Sequence, residues 1–149
     1  MQVLADNRRA RHDYQVLDAL EAGIVLTGTE IKSCRARNIS LADSYAKAED
    51  GELWLVNAHI APYAQGNRNN HEPRRPRKLL LKRRELNRLT QAIEVKGLTL
   101  VPLKVYLNDR SLVKIELGLC RGRQQHDKRD ELKRQDDDRE MQRAVRASR

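Results

Sequence analysis

Hydrophobic and polar residues alternate most regularly in "LTLVPLKVYLNDRSLVKIELGLC", where Leu103, Val105 and Leu107, and then Val113, Ile115 and Leu117, are separated by other side chains. Period-two alternation on both sides of Asn108–Asp109 predicts a β-hairpin with one buried face. A second hairpin is predicted in "SYAKAEDGELWLVNAHI", around the tight-turn pair Asp50–Gly51. Upstream, "DYQVLDALEAGIVLTG" contains two strand-like stretches, Tyr14–Leu17 and Gly23–Leu26, joined through a bend at Glu21–Gly23. Elsewhere the period becomes helical. "GTEIKSCRAR" places Ile31 and Cys34 on one face with Thr29 as candidate cap, and "LLLKRRELNRLTQAIEVKG" spaces Leu86, Leu89 and Ile93 for a longer helix that Gly97 ends.

Short strands in hairpins, interrupted by two helices, predict a mainly β fold. Because closure removes sheet edges, the candidate is a small antiparallel β-barrel of the oligonucleotide-binding (OB) type with short flanking helices. A two-layer α+β sandwich has a similar element order. Residues 62–78, with three prolines and a dense basic cluster, read as a long loop. From Arg121 apolar residues all but vanish, so the barrel domain is placed at 1–122 and a flexible, basic C-terminal tail at 123–149. Leu132, Met141 and Val145 are too few to hold that tail against water, which predicts disorder in the free protein.

Charge narrows the function. The 149 residues carry 30 Lys and Arg against 21 Asp and Glu, a net charge of +9, which points to an anionic partner. Three groups stand out: Arg8, Arg9 and Arg11 in "NRRARHDY"; Lys32, Arg35 and Arg37; and a run from Arg68 to Arg84 opposed locally by Glu72. No apolar run reaches membrane-spanning length and no signal-peptide pattern opens the chain, so a cytoplasmic protein without a membrane partner is expected. Cys34 and Cys120 lie far apart and read as buried hydrophobes, so neither metal nor cofactor is expected. No G-x-S-x-G elbow, phosphate-binding glycine loop or H-E-x-x-H helix occurs, and the protein is not expected to be an enzyme. A ribonuclease pairing His12 with His126 would need a residue beyond the folded body. A purely structural ribosomal or initiation-type OB protein would share fold and charge. The chain has no Phe, one Trp and four Tyr, and Trp54, Tyr45 and Tyr106 sit in strand patterns that suit a core. Backbone and shape contacts to folded RNA therefore suit it better than base-by-base stacking.

Eight blocks occur in order between residues 7 and 129: "NRRARHDY", "EAG", "GTEIKS", "DSYA", "AHIAPY", "RPRKLLL" with "REL", "GLTLVPLKVY" and "HDKR". Together they resemble small protein B, the bacterial SsrA-binding family. The resemblance implies an OB-type barrel that binds the tRNA-like domain of transfer-messenger RNA (tmRNA, SsrA RNA). With elongation factor Tu in the delivery complex, it would accompany that RNA to ribosomes stalled on truncated mRNA, for trans-translation and ribosome rescue. The body would stand in for an anticodon arm, and the tail would probe the empty mRNA channel beyond the decoding centre.

Position by position, the family's RNA-binding face matches Asn7, Glu21 and Leu80, to which charge placement adds Arg8, Arg9, Arg11, Lys32, Arg35, Arg77 and Lys78. Glu21 and Glu30 also admit a structural reading, a carboxylate orienting an arginine. In the tail, His126, Asp127, Lys128 and Arg129 match the segment that enters the decoding centre, and Arg139, Arg143 and Arg146 fall along one stripe if the tail turns helical when bound. The sequence departs from the family pattern at "GRQQ", at the acidic run Asp136–Asp138, at the tail tryptophan of some relatives, which is absent, and at "RAR", residues 35–37, which lacks the common glycine.

Overall fold

The computed structural model describes residues 1–65 and 69–122. The expected tail from residue 123 onward, with its decoding-centre segment and arginine stripe, lies outside the described residues, as does Arg68.

The chain opens with strand β1 (Gln2–Asp6) and helix α1 (Arg8–Asp13), elements that the charge-rich "NRRARHDY" did not announce. Asn7 caps α1: its side-chain oxygen accepts from the Ala10 amide at 3.2 Å. Strand β2 (Tyr14–Ile24) follows without interruption. The bend expected at Glu21–Gly23 does not occur, because Gly23 is extended and paired on both sides, with Leu80 and with Lys114. Helix α2 (Gly28–Arg35) starts earlier than Thr29 suggested. Thr27 is the cap, and Glu30 closes a capping box by accepting from the Thr27 amide at 2.8 Å.

At the end of α2, Arg37 donates its amide to Cys34 O at 2.9 Å and Asn38 donates to Ser33 O at 2.9 Å, a Schellman closure. Its pivot, Arg37, has φ 63°, a conformation that favours glycine. Arg37→Gly is therefore expected to stabilise the protein by about 0.5–1 kcal/mol, read as a raised urea midpoint with unchanged slope.

Strands β3 (Ile39–Ser40), β4 (Tyr45–Glu49), β5 (Glu52–Val56) and β6 (His59–Ile60) come next. The β4–β5 hairpin turns on Asp50 and Gly51, both at positive φ (54° and 73°), as its sequence predicts. Strand β7 (Arg77–Leu80) takes residues assigned to the end of the loop and the start of a helix. Helix α3 begins only at Arg83 and runs to Glu94, burying Leu86, Leu89 and Ala92. Strands β8 (Thr99–Leu107) and β9 (Val113–Gly122) form the second predicted hairpin. In its turn, Asn108 Oδ1 accepts from the amides of Arg110 and Leu112, each at 3.0 Å.

The strands make a mainly β, antiparallel structure with a seven-stranded sheet in the order β1-β8-β4-β5-β7-β2-β9, and β9 pairs back onto β8. Between β4 and β8 the register consists of one aligned pair, Ala46 with Leu100. Inward-facing Leu53, Leu55, Leu79, Leu100, Ile115 and Leu117 form the core with Leu89 of α3 and Cys34 of α2. Burial pushes the Cys34 thiol up to about 12 and the Cys120 thiol up to about 11, so both cysteines remain protonated hydrophobes. The aromatic assignments change: Tyr106 is buried, Trp54 half-buried, and Tyr45 exposed. No helix among the described residues is long and apolar enough to cross a membrane.

Candidate nucleic-acid interface

Strand parity decides which side chains leave the core. Ala22, Leu79, Val105, Ile115 and Leu117 point inward, so Glu21, Gly23, Leu80, Tyr106, Lys114 and Glu116 belong to the outer side of the sheet. Backbone pairing aligns Leu80, Gly23, Lys114 and Tyr106 in one row across β7, β2, β9 and β8. Glu21, Glu116 and Lys104 form the next row. Leu80 is 50% exposed, a large apolar side chain left uncovered beside charged groups. The Tyr106 hydroxyl donates to Glu21 Oε2 at 2.6 Å, and Lys104 Nζ lies 3.3 Å from Glu116 Oε2. Burial, the hydrogen bond to Glu21 and the charges of Glu21 and Glu116 all raise the Tyr106 pKa, which keeps its hydroxyl a donor.

Helix α1 lies over the far end of the same side. Ala10 packs with Val101, Leu103 and Cys120, and Tyr14 packs against that cluster. Cys120 stands four residues from Glu116 and six from Lys114 on β9, about 13–20 Å along a strand. Exposed Arg8, Arg9 and Arg11 therefore share a face with Glu21 and Leu80. Arg9 and Arg11 meet Asp13 and Asp6 at 3.5 and 3.1 Å, solvent-facing pairs that a phosphate can replace at little cost.

Asn7 does not offer its amide to a ligand. It is buried, Nδ2 donates to Pro102 O at 2.9 Å and Leu41 O at 3.3 Å, and Oδ1 serves the cap. This corrects the reading of that amide as a direct RNA contact and makes Asn7 the residue that seats α1.

A second correction concerns Arg77, assigned to phosphate from charge alone. Its guanidinium is fully buried: Nε donates to Glu30 Oε2 at 2.5 Å, Nη1 to Ala58 O at 2.9 Å and Nη2 to Pro73 O at 3.0 Å. Arg75 Nη2 donates to the other Glu30 oxygen, also at 2.5 Å. The basic run thus has an internal counter-anion from α2 as well as the neighbouring Glu72. Burial alone would push the Glu30 carboxyl up, but hydrogen bonds from Arg75, the Thr27 amide and Arg77 outweigh it and hold the carboxyl below its ordinary value. Of the two readings open for Glu30, the orienting one describes this geometry. Around the triad, His71 joins Ile60 O and the Thr29 hydroxyl, each at 2.9 Å, tying the connection to α2 and β6.

The remaining predicted residues are dispersed. Lys78 is half-buried, shares the outer parity of Leu80, and lies 3.8 Å from Glu52. Arg35 is exposed and donates to Ser111 O in the β8–β9 turn at 3.2 Å, and exposed Lys32 lies 5.4 Å from the Tyr63 ring centroid. Sequence reasoning alone did not single out Gly23, Lys104, Lys114 or Tyr106 as parts of this face. For Lys104, Tyr106 and Lys114 the signal is the polar half of the alternation that predicts the last hairpin; for Gly23 it is only the cross-strand pairing with Leu80 and Lys114.

A small antiparallel β protein that gathers an arginine-rich helix, an exposed leucine and an oriented carboxylate on one face has the make-up of a nucleic-acid-binding module. The model of the family described as SmpB protein matches residues 4–147. An SsrA-binding protein of Brucella canis is 55% identical over 144 residues, 97% of this chain and 91% of that protein. Another, from Rhodopseudomonas palustris, is 55% identical over 147 residues, 99% of this chain and 94% of that protein. A solved structure described as "tmRNA-SmpB: a journey to the center of the bacterial ribosome" aligns with TM-score 0.68 and 55% identity, covering 83% of this chain and 85% of that one. The chain belongs to the SmpB family.

Proposed function

We propose that the protein binds the tRNA-like domain of tmRNA and delivers it to ribosomes stalled on truncated mRNA, enabling trans-translation, and that it catalyses no reaction itself. The observation that carries this reading is the nearly full-length match to SsrA-binding proteins, together with 55% identity to the chain of the tmRNA-SmpB structure. The ring of pairings from β8 through β4, β5, β7, β2 and β9 back to β8 supports describing residues 1–122 as one OB-type barrel domain. Its outer face is the RNA surface. Arg8, Arg9 and Arg11 hold backbone phosphates, Leu80 presses on an exposed base, Glu21 and Lys78 flank it, and Lys32 and Arg35 extend the positive field. Residues 123–149 are the ribosome-facing tail, directed to the empty mRNA channel, with His126, Asp127, Lys128 and Arg129 at the decoding centre and Arg139, Arg143 and Arg146 against ribosomal phosphate. Elongation factor Tu completes the delivery complex, and the cytoplasm is where it works.

Purifying the protein from its source cell and sequencing the RNA bound to it tests the whole reading. One dominant structured RNA is the expected result, and a broad mixture of messages would reject it. Within the surface, Arg8→Ala with Arg9→Ala and Arg11→Ala should lower the log–log salt slope of tmRNA binding by about 0.7–0.9 for each phosphate no longer neutralised. Leu80→Ala should weaken binding at an unchanged slope, since it removes apolar surface and no charge; a slope change as large as that of an arginine would show that the leucine does not meet a base.

A further inference from the structure

We infer that Glu21, Gly23, Leu80, Lys114 and Tyr106 together form a seat for one unstacked guanine of the bound RNA. The inference rests on the RNA-binding reading above and adds the identity of the base. The first reason is the sign of the charge. A carboxylate on a surface meant for RNA repels phosphate, so Glu21 must face something that donates. The neighbouring Glu116 has Lys104 Nζ 3.3 Å away, whereas Glu21 accepts from the neutral Tyr106 hydroxyl, which orients the carboxylate without cancelling its charge.

The second reason is donor geometry. An ionised carboxylate only accepts. Guanine has two adjacent donors, N1–H and the N2 amino group, on its Watson–Crick edge. Adenine and cytosine set an acceptor beside their amino group, and uracil flanks one N–H with two carbonyls. A carboxylate held by one oxygen therefore pairs best with guanine: Oε1 is available to one donor, and Oε2 keeps an acceptor position beside the Tyr106 bond.

The third reason is the platform. Gly23 lies between Leu80 and Lys114 in the cross-strand row. A Cβ there would stand 3.2 Å from Leu80 Cβ, 3.5 Å from Leu80 Cδ1 and 3.7 Å from Lys114 Nζ, so the missing side chain lets the exposed leucine and the ammonium close over the glycine and stand side by side. A base can lie on the exposed Leu80 side chain, which rests on Gly23, with its edge toward Glu21 on the same face, while Lys114 reaches the nucleotide's phosphate. Tyr106 is a positioning residue that acts through Glu21.

The test uses the full chain and the tRNA-like domain of tmRNA, with each unpaired guanosine replaced singly by inosine, which lacks the N2 donor. One position should lose about tenfold or more in affinity, the effect of deleting a hydrogen bond to a charged group. In Glu21→Gln, an exposed and isosteric change, binding of the unmodified RNA should weaken and that inosine penalty should vanish. In Tyr106→Phe the guanosine-to-inosine ratio should shrink while the salt slope stays unchanged, which a purely structural tyrosine would not produce. If wild-type protein binds the RNA but no inosine costs as much as threefold, or if Glu21→Gln retains the penalty, the guanine seat is overturned while the RNA-binding reading stands. If wild-type protein prefers this RNA no more than an ordinary tRNA, both fall.

Discussion

Glu30→Ala is expected to destabilise the protein by about 3–5 kcal/mol, because it leaves the fully buried Arg77 guanidinium without its counter-charge. The same change removes the capping-box acceptor of the Thr27 amide and the partner of Arg75. Arg77→Ala should cost a similar amount by stranding the carboxylate and the Ala58 carbonyl. Denaturant unfolding checks both, and a destabilisation below about 1 kcal/mol for Glu30→Ala would show that the triad adds little. Acid stability provides a second reading. The folded-state pKa of Glu30 is lowered, so its contribution is fully present above the ordinary carboxyl value of about 4.3. That contribution is lost as pH falls through the lower folded-state value. Glu30→Gln should flatten this acid limb, and Arg77→Ala should act on stability rather than on the salt dependence of RNA binding.

Deleting residues 124–149 is expected to separate carriage from rescue. Among the described residues the core is complete by Cys120, and the sequence beyond residue 123 is poor in apolar residues, so the truncated protein should stay folded and bind tmRNA within a few-fold of the full chain. Tagging of nascent peptides on stalled ribosomes should nevertheless fall to background, because His126, Lys128, Arg129 and the Arg139, Arg143 and Arg146 stripe would be missing from the mRNA channel. Measuring binding and tagging on the same preparation makes the outcome decisive. Normal tagging would show the tail to be dispensable, and failure to bind tmRNA would move the domain boundary beyond residue 122.

The parts of the fold legible in the sequence were those governed by local periodicity. Alternation about Asp50–Gly51 and Asn108–Asp109 located both hairpins, and Leu86, Leu89 and Gly97 located α3. What local pattern could not show was which distant group would answer a polar residue. Thr29 looked like a cap because the reach of Glu30 back to the Thr27 amide is invisible in a linear reading. Gly23 looked like a bend because its neighbours Leu80 and Lys114 lie far along the chain. Arg77 looked like a phosphate ligand because its counter-charge is 47 residues away. The candidate site divides the same way: charge density marked Arg8, Arg9 and Arg11 but not the helix that carries them, and Tyr106 joins Glu21 only through strand register across β9.

The seating of Asn7 has a kinetic meaning. Ordering a loose segment when RNA arrives would cost about 1–2 kcal/mol of conformational entropy for each residue fixed. Here the Asn7 side chain bridges Pro102, Leu41 and Ala10 and its amide donates to Leu103 O at 2.8 Å, so that cost falls on folding, before any RNA is present. On the proposed RNA surface the arginines of α1 would then stand as a pre-organised array, and association would approach the rate set by electrostatic steering instead of waiting for a helix to form.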